Sequence, residues 1–455
     1  FHPLTSLIPS VFVGFISSHT LAETLCSVKE VFCIYCQKSH RTFFMSKERF
    51  FKGTFLLTSA GLISRIMGFF YRIFLSHTIG AEGIGLYQLV VPLQHLVLAM
   101  TTFGIQTSLS RLISSHTALG EKKEAQDCFR IGTFLALFLS GMAAWSIFTF
   151  SHFFAVQILK EPATESLIRL LALSFPFASV HLCVNSYYLG LKKASFPAAT
   201  QILEQAVRIF STCLLWQICL SRNIAVTAMI AVAGSFLCIS LNSSVSSHHI
   251  EKPVQKISEI GHMALPLTLN RLLLSVLAAI EVVLIPQCLR MYGLSPSEAL
   301  SLYGVFTGMA LPCILFPSTV TSSASVILMP SVAEMQALGH RRKIRYITRT
   351  TCAACILLGS LCTIVFYFLG NFAGTILFHN TDAGLYIRTL SFICPFLYTN
   401  IALTSILNGL GKTGTTLVHS VLGILLRISF VIFAIPVLGI RGYLYGLLLS
   451  EILLS

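Results

Sequence analysis

Residues 52–77, KGTFLLTSAGLISRIMGFFYRIFLSH, are long and apolar enough to cross a bilayer. Roughly 20 residues rising about 1.5 Å each span a hydrocarbon core of about 30 Å. The stretch nevertheless carries Arg65 near its middle and Arg72 two turns further on. A guanidinium at that depth costs at least about 2.5–3.5 kcal/mol on insertion scales, so both side chains must face protein or water rather than lipid. Seven residues apart, they share a helix face with Gly61 and Gly68, whose small size leaves room for something to approach. Two readings stay open. Either each arginine pairs with an acid from a neighbouring helix, or the two line a cavity that receives an anion.

Similar apolar runs recur through all 455 residues, of which 11% are charged. Soluble domains carry about twice that charged share, so an all-α polytopic membrane protein is expected. Predicted spans fall at 52–77, 84–112, 128–151, 164–190, 197–220 and 222–242, then at 261–287, 299–332, 346–370, 384–410, 414–436 and 438–455. A polar linker at 242–260 separates the two sets. The formal charge of +14 invites a nucleic-acid partner, but the basic residues sit in short loops between spans, where membrane orientation accounts for them. One side collects Lys47, Arg49, Lys52, Lys122, Lys123, Lys192, Lys193, Lys252, Lys256, Arg341, Arg342, Lys343, Arg345 and Lys412; the other holds Lys160, Arg222, Arg290 and Arg441. The N-terminus is therefore expected in the cytoplasm.

Residues 1–44 precede Met45-Ser-Lys-Glu-Arg, which reads as a start, and are expected to be a leader with no transport role; the apolar run at the C-terminal end reads as a truncated last span. This leaves an N-terminal six-helix lobe at 45–247 and a C-terminal six-helix lobe at 248–455. The pairs Cys33/Cys36 and Cys352/Cys355 lack a second pair or histidines at zinc-finger spacing, so no metal, redox centre or other cofactor is expected. Cysteine here reads as a small apolar residue.

The two lobes repeat. Ala118-Leu-Gly-Glu-Lys-Lys resembles Ala337-Leu-Gly-His-Arg-Arg at an offset of 219 residues, and the same offset pairs Arg130 with Arg349, Gly190 with Gly409, and Arg208 with Arg427. Matched loops fall on one side of the membrane. The repeat is thus parallel, with a pseudo-twofold axis along the membrane normal, and transporters of that design hold substrate between their halves near mid-membrane.

Five arginines lie at membrane depth: Arg65, Arg72, Arg208, Arg271 and Arg427. The clear acids there are Glu204 and Glu281, with Glu451 in the last span. Glu204 and Arg208 are spaced to pair within one helix, with Gln201 completing a polar stripe. Arg271 is about 15 Å along the helix from Glu281, too far to pair with it. Arg427 has no acid in its own helix. A phosphate matches the planar, forked donors of such a surplus. Pro92, Pro176, Pro266, Pro286, Pro312 and Pro317 fall inside spans, as static kinks or as flex points. His95 and His181 read as packed or hydrogen-bonded histidines. Neither GxSxG, a phosphate-binding GxxxxGK[ST] nor HExxH occurs, so an enzyme is not expected.

Ser64-Arg65-Ile-Met-Gly68-Phe, followed by Ile79-Gly80-Ala-Glu82-Gly83-Ile-Gly85-Leu-Tyr87, resembles the polysaccharide biosynthesis branch of the multidrug/oligosaccharidyl-lipid/polysaccharide flippase superfamily. Ser295-Pro-Ser-Glu-Ala-Leu-Ser-Leu-Tyr303-Gly and Thr307-Gly-Met-Ala-Leu-Pro312 are similar to its stage V sporulation protein B-like group. The resemblance runs from about residue 46 to the end. It implies two six-helix lobes that move an undecaprenyl-pyrophosphate-linked saccharide, lipid II or another cell-wall or polysaccharide precursor, across the bacterial plasma membrane by alternating access. Arg65 falls on the family's Ser-Arg position; Arg72 is one residue later than the second arginine of the lipid II flippases. On this reading Arg65, Arg72 and Arg271 hold the pyrophosphate, with Arg208 and Arg427 symmetry-related candidates. Glu204 and Glu281 are candidates for ion coupling or for restraining empty arginines. The expected partners are the lipid-linked saccharide, membrane lipids and cell-wall synthesis enzymes, with no nucleic acid and a monomeric carrier. The alternative is a cation-coupled multidrug exporter of the same superfamily, in which acids in the first helix of a lobe would be expected; residues 52–77 have none.

Overall fold

The computed structural model describes residues 44–191, 193–218 and 253–454. The leader, Cys33/Cys36, the span predicted at 222–242 and most of the linker lie outside these residues. Every regular element among the described residues is helical: α1 Phe44–Leu98, α2 Gly104–Ala118, α3 Lys122–Thr149, α4 Glu165–Gly190, α5 Ser195–Ile218, α6 Pro253–Met291, α7 Pro296–Gly304, α8 Leu311–Leu315, α9 Ser318–Ala337, α10 Arg341–Phe378, α11 Thr381–Leu390, α12 Cys394–Gly409, α13 Thr413–Phe433 and α14 Ile440–Leu454. Helices stand at eleven of the twelve predicted positions. Eight stretches of the described residues are long and apolar enough to cross a membrane, the first of them, Phe55–Thr117, passing through a bend.

That bend is at Gly80, whose φ of 69° and ψ of −178° interrupt α1. Only glycine reaches this backbone region without a Cβ clash. The chain folds back there: Tyr71 and Leu75 before the bend pack with Tyr87 after it. Further on, α7 opens with a capping box, in which Ser295 and Glu298 satisfy each other's backbone N–H groups. One π-turn, Ala99–Phe103, leads into α2, and a second, Val305–Ala310, separates α7 from α8.

The 219-residue repeat is written into backbone geometry. Gly120 N donates to Thr117 O and Glu121 N to His116 O; Gly339 N donates to Gln336 O and His340 N to Met335 O, the same bonds one offset later. Gly120 and Gly339 both have positive φ, as do Lys160 and His379. A Cβ on Gly190 would meet Ile113 and Ser110 O, and one on Gly409 would meet Val332 and Met329 O. Every one of these partners is again 219 residues on. Helix crossings and turns have therefore been kept together across the two halves.

The halves share a core at the end poor in lysine and arginine. One apolar cluster there joins Leu89, Val97 and Phe175 of the first half to Ile285, Phe306 and Tyr398 of the second. Glycines allow the close approach: a Cβ on Gly304 would clash with Ala81 O and lie 2.7 Å from Gly85 N. Arg290 pairs with Glu161 and donates to Lys160 O at 3.1 Å, while Ser297 donates to Glu82 at 2.7 Å. His77 Nε2 donates to Leu377 O at 2.8 Å, leaving its Nδ1 to accept from His379 Nδ1 at 3.1 Å. Near the basic end the second apolar cluster belongs to the first half, apart from Ile260, Met263 and Ala264 at the start of α6. There Lys256 reaches Glu124 at 2.8 Å and the buried Asp127 at 3.0 Å.

Candidate functional site

A cavity of about 770 Å³ is lined by both arms of α1, by α5 and by α8 and α9, with Ile401 of α12 at its edge. It runs from Ile84, beside the shared core, to Arg65 and Phe103. Arg65, Arg72 and Arg208 all line it. Arg65 and Arg72 are exposed to it, and neither makes a hydrogen bond or ion pair with any described residue. An unpaired guanidinium at membrane depth is costly unless water or a ligand solvates it. Among the described residues lining the cavity there is no carboxylate. Of the two readings the sequence leaves open, the pairing of Arg65 and Arg72 with acids from neighbouring helices has no counterpart among the described residues.

The face shared by Gly61 and Gly68 is filled by α5. A Cβ on Gly61 would lie 3.8 Å from Gln201 Nε2, and one on Gly68 would lie 3.4 Å from Gln205 Nε2. What the glycines admit is thus a pair of amides, which brings α5 against α1. Tyr71 ties the same helices together by donating to Thr212 Oγ1 at 3.1 Å, since the Thr212 hydroxyl itself donates to Arg208 O.

Arg208 is held by Glu204 one turn away, as its spacing predicts, and also donates to Gln205 Oε1 at 3.4 Å. Its Nε is buried without a hydrogen-bond partner among the described residues. Glu204 lies 3.8 Å from His181 of α4, which accepts from Asn185 at 3.0 Å, and Asn185 in turn accepts from Thr200 at 3.1 Å. Glu204 so restrains an arginine and lies beside a polar chain between α4 and α5 without a hydrogen bond to it.

The other two candidates are placed elsewhere. Arg427 does not line the cavity: Nε donates to Glu281 Oε1 at 2.7 Å and Nη2 to Oε2 at 3.2 Å, and Tyr443 donates to Oε1 at 2.8 Å. Its acid comes from α6, 146 residues back, a partner invisible within its own helix. Glu281, 6% exposed, is fully engaged by this clasp. Arg271 lies over the ring of Phe103 at 5.6 Å, exposed and beside the cavity through that ring. Arg388, absent from the five arginines at membrane depth, donates to Tyr367 at 3.0 Å and stacks on its ring.

The cavity also holds residues that a survey of charges passes over. Tyr87, Gln88, Gln94 and His95 come from α1 beyond the bend, and Ser318 and Ser322 from α9. A scan for uncharged polar groups inside apolar spans would have found both glutamines.

Comparison with known proteins gives the architecture a family. The polysaccharide biosynthesis protein family matches residues 50–336. Stage V sporulation protein B of Bacillus subtilis (strain 168) is 25% identical over 433 residues, covering 90% of this chain and 83% of that protein. Lipid II flippase MurJ of the same organism is 26% identical over 166 residues, 35% of this chain and 30% of its own. Among solved structures, the inward-facing conformation of a multidrug resistance MATE family transporter of the MOP superfamily has a TM-score of 0.70 at 13% identity, covering 88% of this chain and 95% of that one. The chain therefore belongs to the polysaccharide biosynthesis protein family, with eight stretches able to cross a membrane and the fold of the solved MOP superfamily transporter.

Proposed function

We propose that the protein is a flippase that carries an undecaprenyl-pyrophosphate-linked saccharide, lipid II or a related cell-wall precursor, across the bacterial plasma membrane. The observation that carries this reading is the cavity with three arginines and no carboxylate in its described lining. A pyrophosphate offers two adjacent anionic centres, and guanidinium forks at Arg65 and Arg72 match them. Arg208 takes a supporting part, because Glu204 already neutralises most of its charge. Arg271 sits at the rim, and Arg427 serves the fold. The relative named for lipid II flipping supports the same substrate class.

With the N-terminus in the cytoplasm, the shared core closes the outer end and the cavity takes its cargo from the inner side. Alternating access then requires the seam at Gly85 and Gly304 to part and the inner end to close. No bond is made or broken in the cargo, so the role assigned is that of a carrier rather than an enzyme. Free carboxylates facing a cationic cargo would suit the multidrug exporter reading better, and this lining has none among the described residues.

The test is Arg65→Ala and Arg72→Ala in a strain depleted of its own lipid II flippase, with expression verified. Translocation of the lipid-linked saccharide is expected to fall at least tenfold for each. Undiminished translocation, or efflux of cationic drugs that the variants leave intact, would remove the arginine cavity as the cargo site.

A further inference from the structure

The hairpin of α1 places two amides level with the two free arginines. Arg72 lies eight residues before Gly80 and Gln88 eight residues after it, each about 12 Å from the bend at 1.5 Å per residue. Arg65 lies fifteen before and Gln94 fourteen after, about 21–22 Å from the bend. Tyr71, Leu75 and Tyr87 packing together fixes the two arms side by side. All four side chains line the one cavity. It is therefore rung like a ladder, with a guanidinium and an amide on each of two levels about 10 Å apart.

The amides are unengaged. Gln88 and Gln94 are half-buried and make no hydrogen bond with any described residue. Gln205, the third amide in the lining, is buried and accepts from Arg208. Thr319 and Ser318 at the start of α9 already donate to Phe316 O and Leu315 O, just before it, at 2.6 and 2.7 Å. A half-buried amide with two donors and an acceptor left open at membrane depth is costly unless something pairs with it. Water can, but so can the hydroxyls or acetamido groups of an uncharged sugar. Tyr87 and Phe103 add ring surface to the same wall. Among the described lining residues, the only arginine beyond Arg65 and Arg72 is Arg208, already paired with Glu204, so none is left free for an acidic sugar.

Resting on the flippase reading, we infer that Gln88 and Gln94 form the saccharide subsite: they recognise an uncharged sugar head through its hydroxyl and amide groups while Arg65 and Arg72 hold the pyrophosphate. Specificity for the glycan is then separable from affinity for the carrier lipid, because the two sit on different arms of one hairpin.

The experiment compares two probes on the purified full chain in detergent: undecaprenyl pyrophosphate, and undecaprenyl pyrophosphate bearing a neutral N-acetylhexosamine disaccharide. The quantity read is the ratio of their Kd values. The wild-type chain should prefer the sugar-bearing lipid by about tenfold, and Gln88→Leu with Gln94→Leu should bring that ratio to about one. The isosteric charge change Gln88→Glu, which keeps size and hydrogen-bonding reach, should also lower it. Arg65→Gln with Arg72→Gln should weaken both probes together and keep the ratio. A ratio unmoved by the glutamine variants while the arginine pair weakens both probes overturns the sugar subsite and leaves the flippase reading standing. If the arginine variants weaken neither probe, the flippase reading itself falls, and the subsite with it.

Discussion

Arg208 and Arg427 occupy corresponding points of the two halves, 219 residues apart, in helices entered by matching turns: Leu191 N and Lys193 N donate to Tyr187 O and Tyr188 O, as Leu410 N and Lys412 N donate to Ile406 O and Leu407 O. Arg208 is paired by Glu204 of its own helix, faces the cavity and leaves its Nε without a hydrogen bond. Arg427 is gripped through two nitrogens by Glu281 of α6, and Tyr443 of α14 holds the same carboxylate. One position is thus part of a cavity wall in the first half and a three-helix pin in the second. The second half keeps its charge to hold helices together; the first keeps Arg65 and Arg72 free beside Arg208. The scaffold is symmetric, and its charge is not.

The largest effect that could break this comparison is on stability. Arg427→Ala leaves Glu281 buried without its cation, which should cost about 3–5 kcal/mol. Unfolding in detergent should show it as a large drop in Tm, and Arg427→Met with Glu281→Gln should recover most of the loss. Arg208→Ala should cost clearly less, since the Glu204 side chain keeps 20% exposure and has His181 beside it, and should act on transport instead. If the two variants exchange roles, the division between wall and pin is wrong.

The next effect concerns the pairing of α6 with the first half. Lys256→Met strands Asp127, only 3% exposed, and should cost about 3 kcal/mol, near the low end for a buried pair because Glu124 is solvated. Lys256 lies outside the candidate span Leu267–Met291. Burial pulls its pKa down, but the hydrogen bonds it donates to Glu124 and Asp127 outweigh this and raise it above the usual lysine value. A raised lysine contributes stability that is full below its ordinary pKa of about 10.4 and lost only as pH rises through the higher folded value. Tm should therefore show no Lys256-dependent change between pH 6 and 9, and should differ between wild type and variant throughout that range.

A smaller effect tests the seam. Gly304→Ala pushes a methyl against Ala81 O, and overpacking of that kind costs about 1–3 kcal/mol. The cost falls only on the state closed at this end, so the population should shift toward the opposite state by about tenfold or more. Cysteines placed at Glu82 and Ser297, whose side chains now bond at 2.7 Å, should cross-link several-fold more slowly with Gly304→Ala. Unchanged cross-linking would mean that this contact does not move in transport.

The contrast between the halves also marks what could be read from the chain in advance. The 219-residue offset was visible because turn glycines and loop cations are few and chemically constrained; Gly120 and Gly339 must both supply positive φ. The i,i+4 pair of Glu204 with Arg208 was visible because it is local. Glu281 with Arg427 was not, because nothing in either helix says which helix packs against it. Of the arginines at membrane depth, Arg65 and Arg72 have no hydrogen-bond or ion-pair partner among the described residues, whereas Arg427 takes Glu281 across the bundle. Gln88 and Gln94 were passed over because an uncharged amide inside an apolar span is common, and becomes significant only when the hairpin sets it level with an arginine.

The smallest effect asks whether the scaffold is as symmetric in energy as in geometry. Gly120 and Gly339 have φ of 82° and 71°, and a Cβ on either would meet nothing within 4 Å. Alanine at either site thus carries only the backbone cost of the left-handed region, about 1 kcal/mol. Gly120→Ala and Gly339→Ala should lower stability by equal amounts and, lying in separate turns, should add within about 0.5 kcal/mol in the double variant. Equal, additive losses here beside unequal losses at Arg208 and Arg427 would place the divergence of the halves in side-chain charge alone. Unequal glycine losses would place part of it in the backbone, and the two lobes could no longer be treated as one frame carrying two sets of charges.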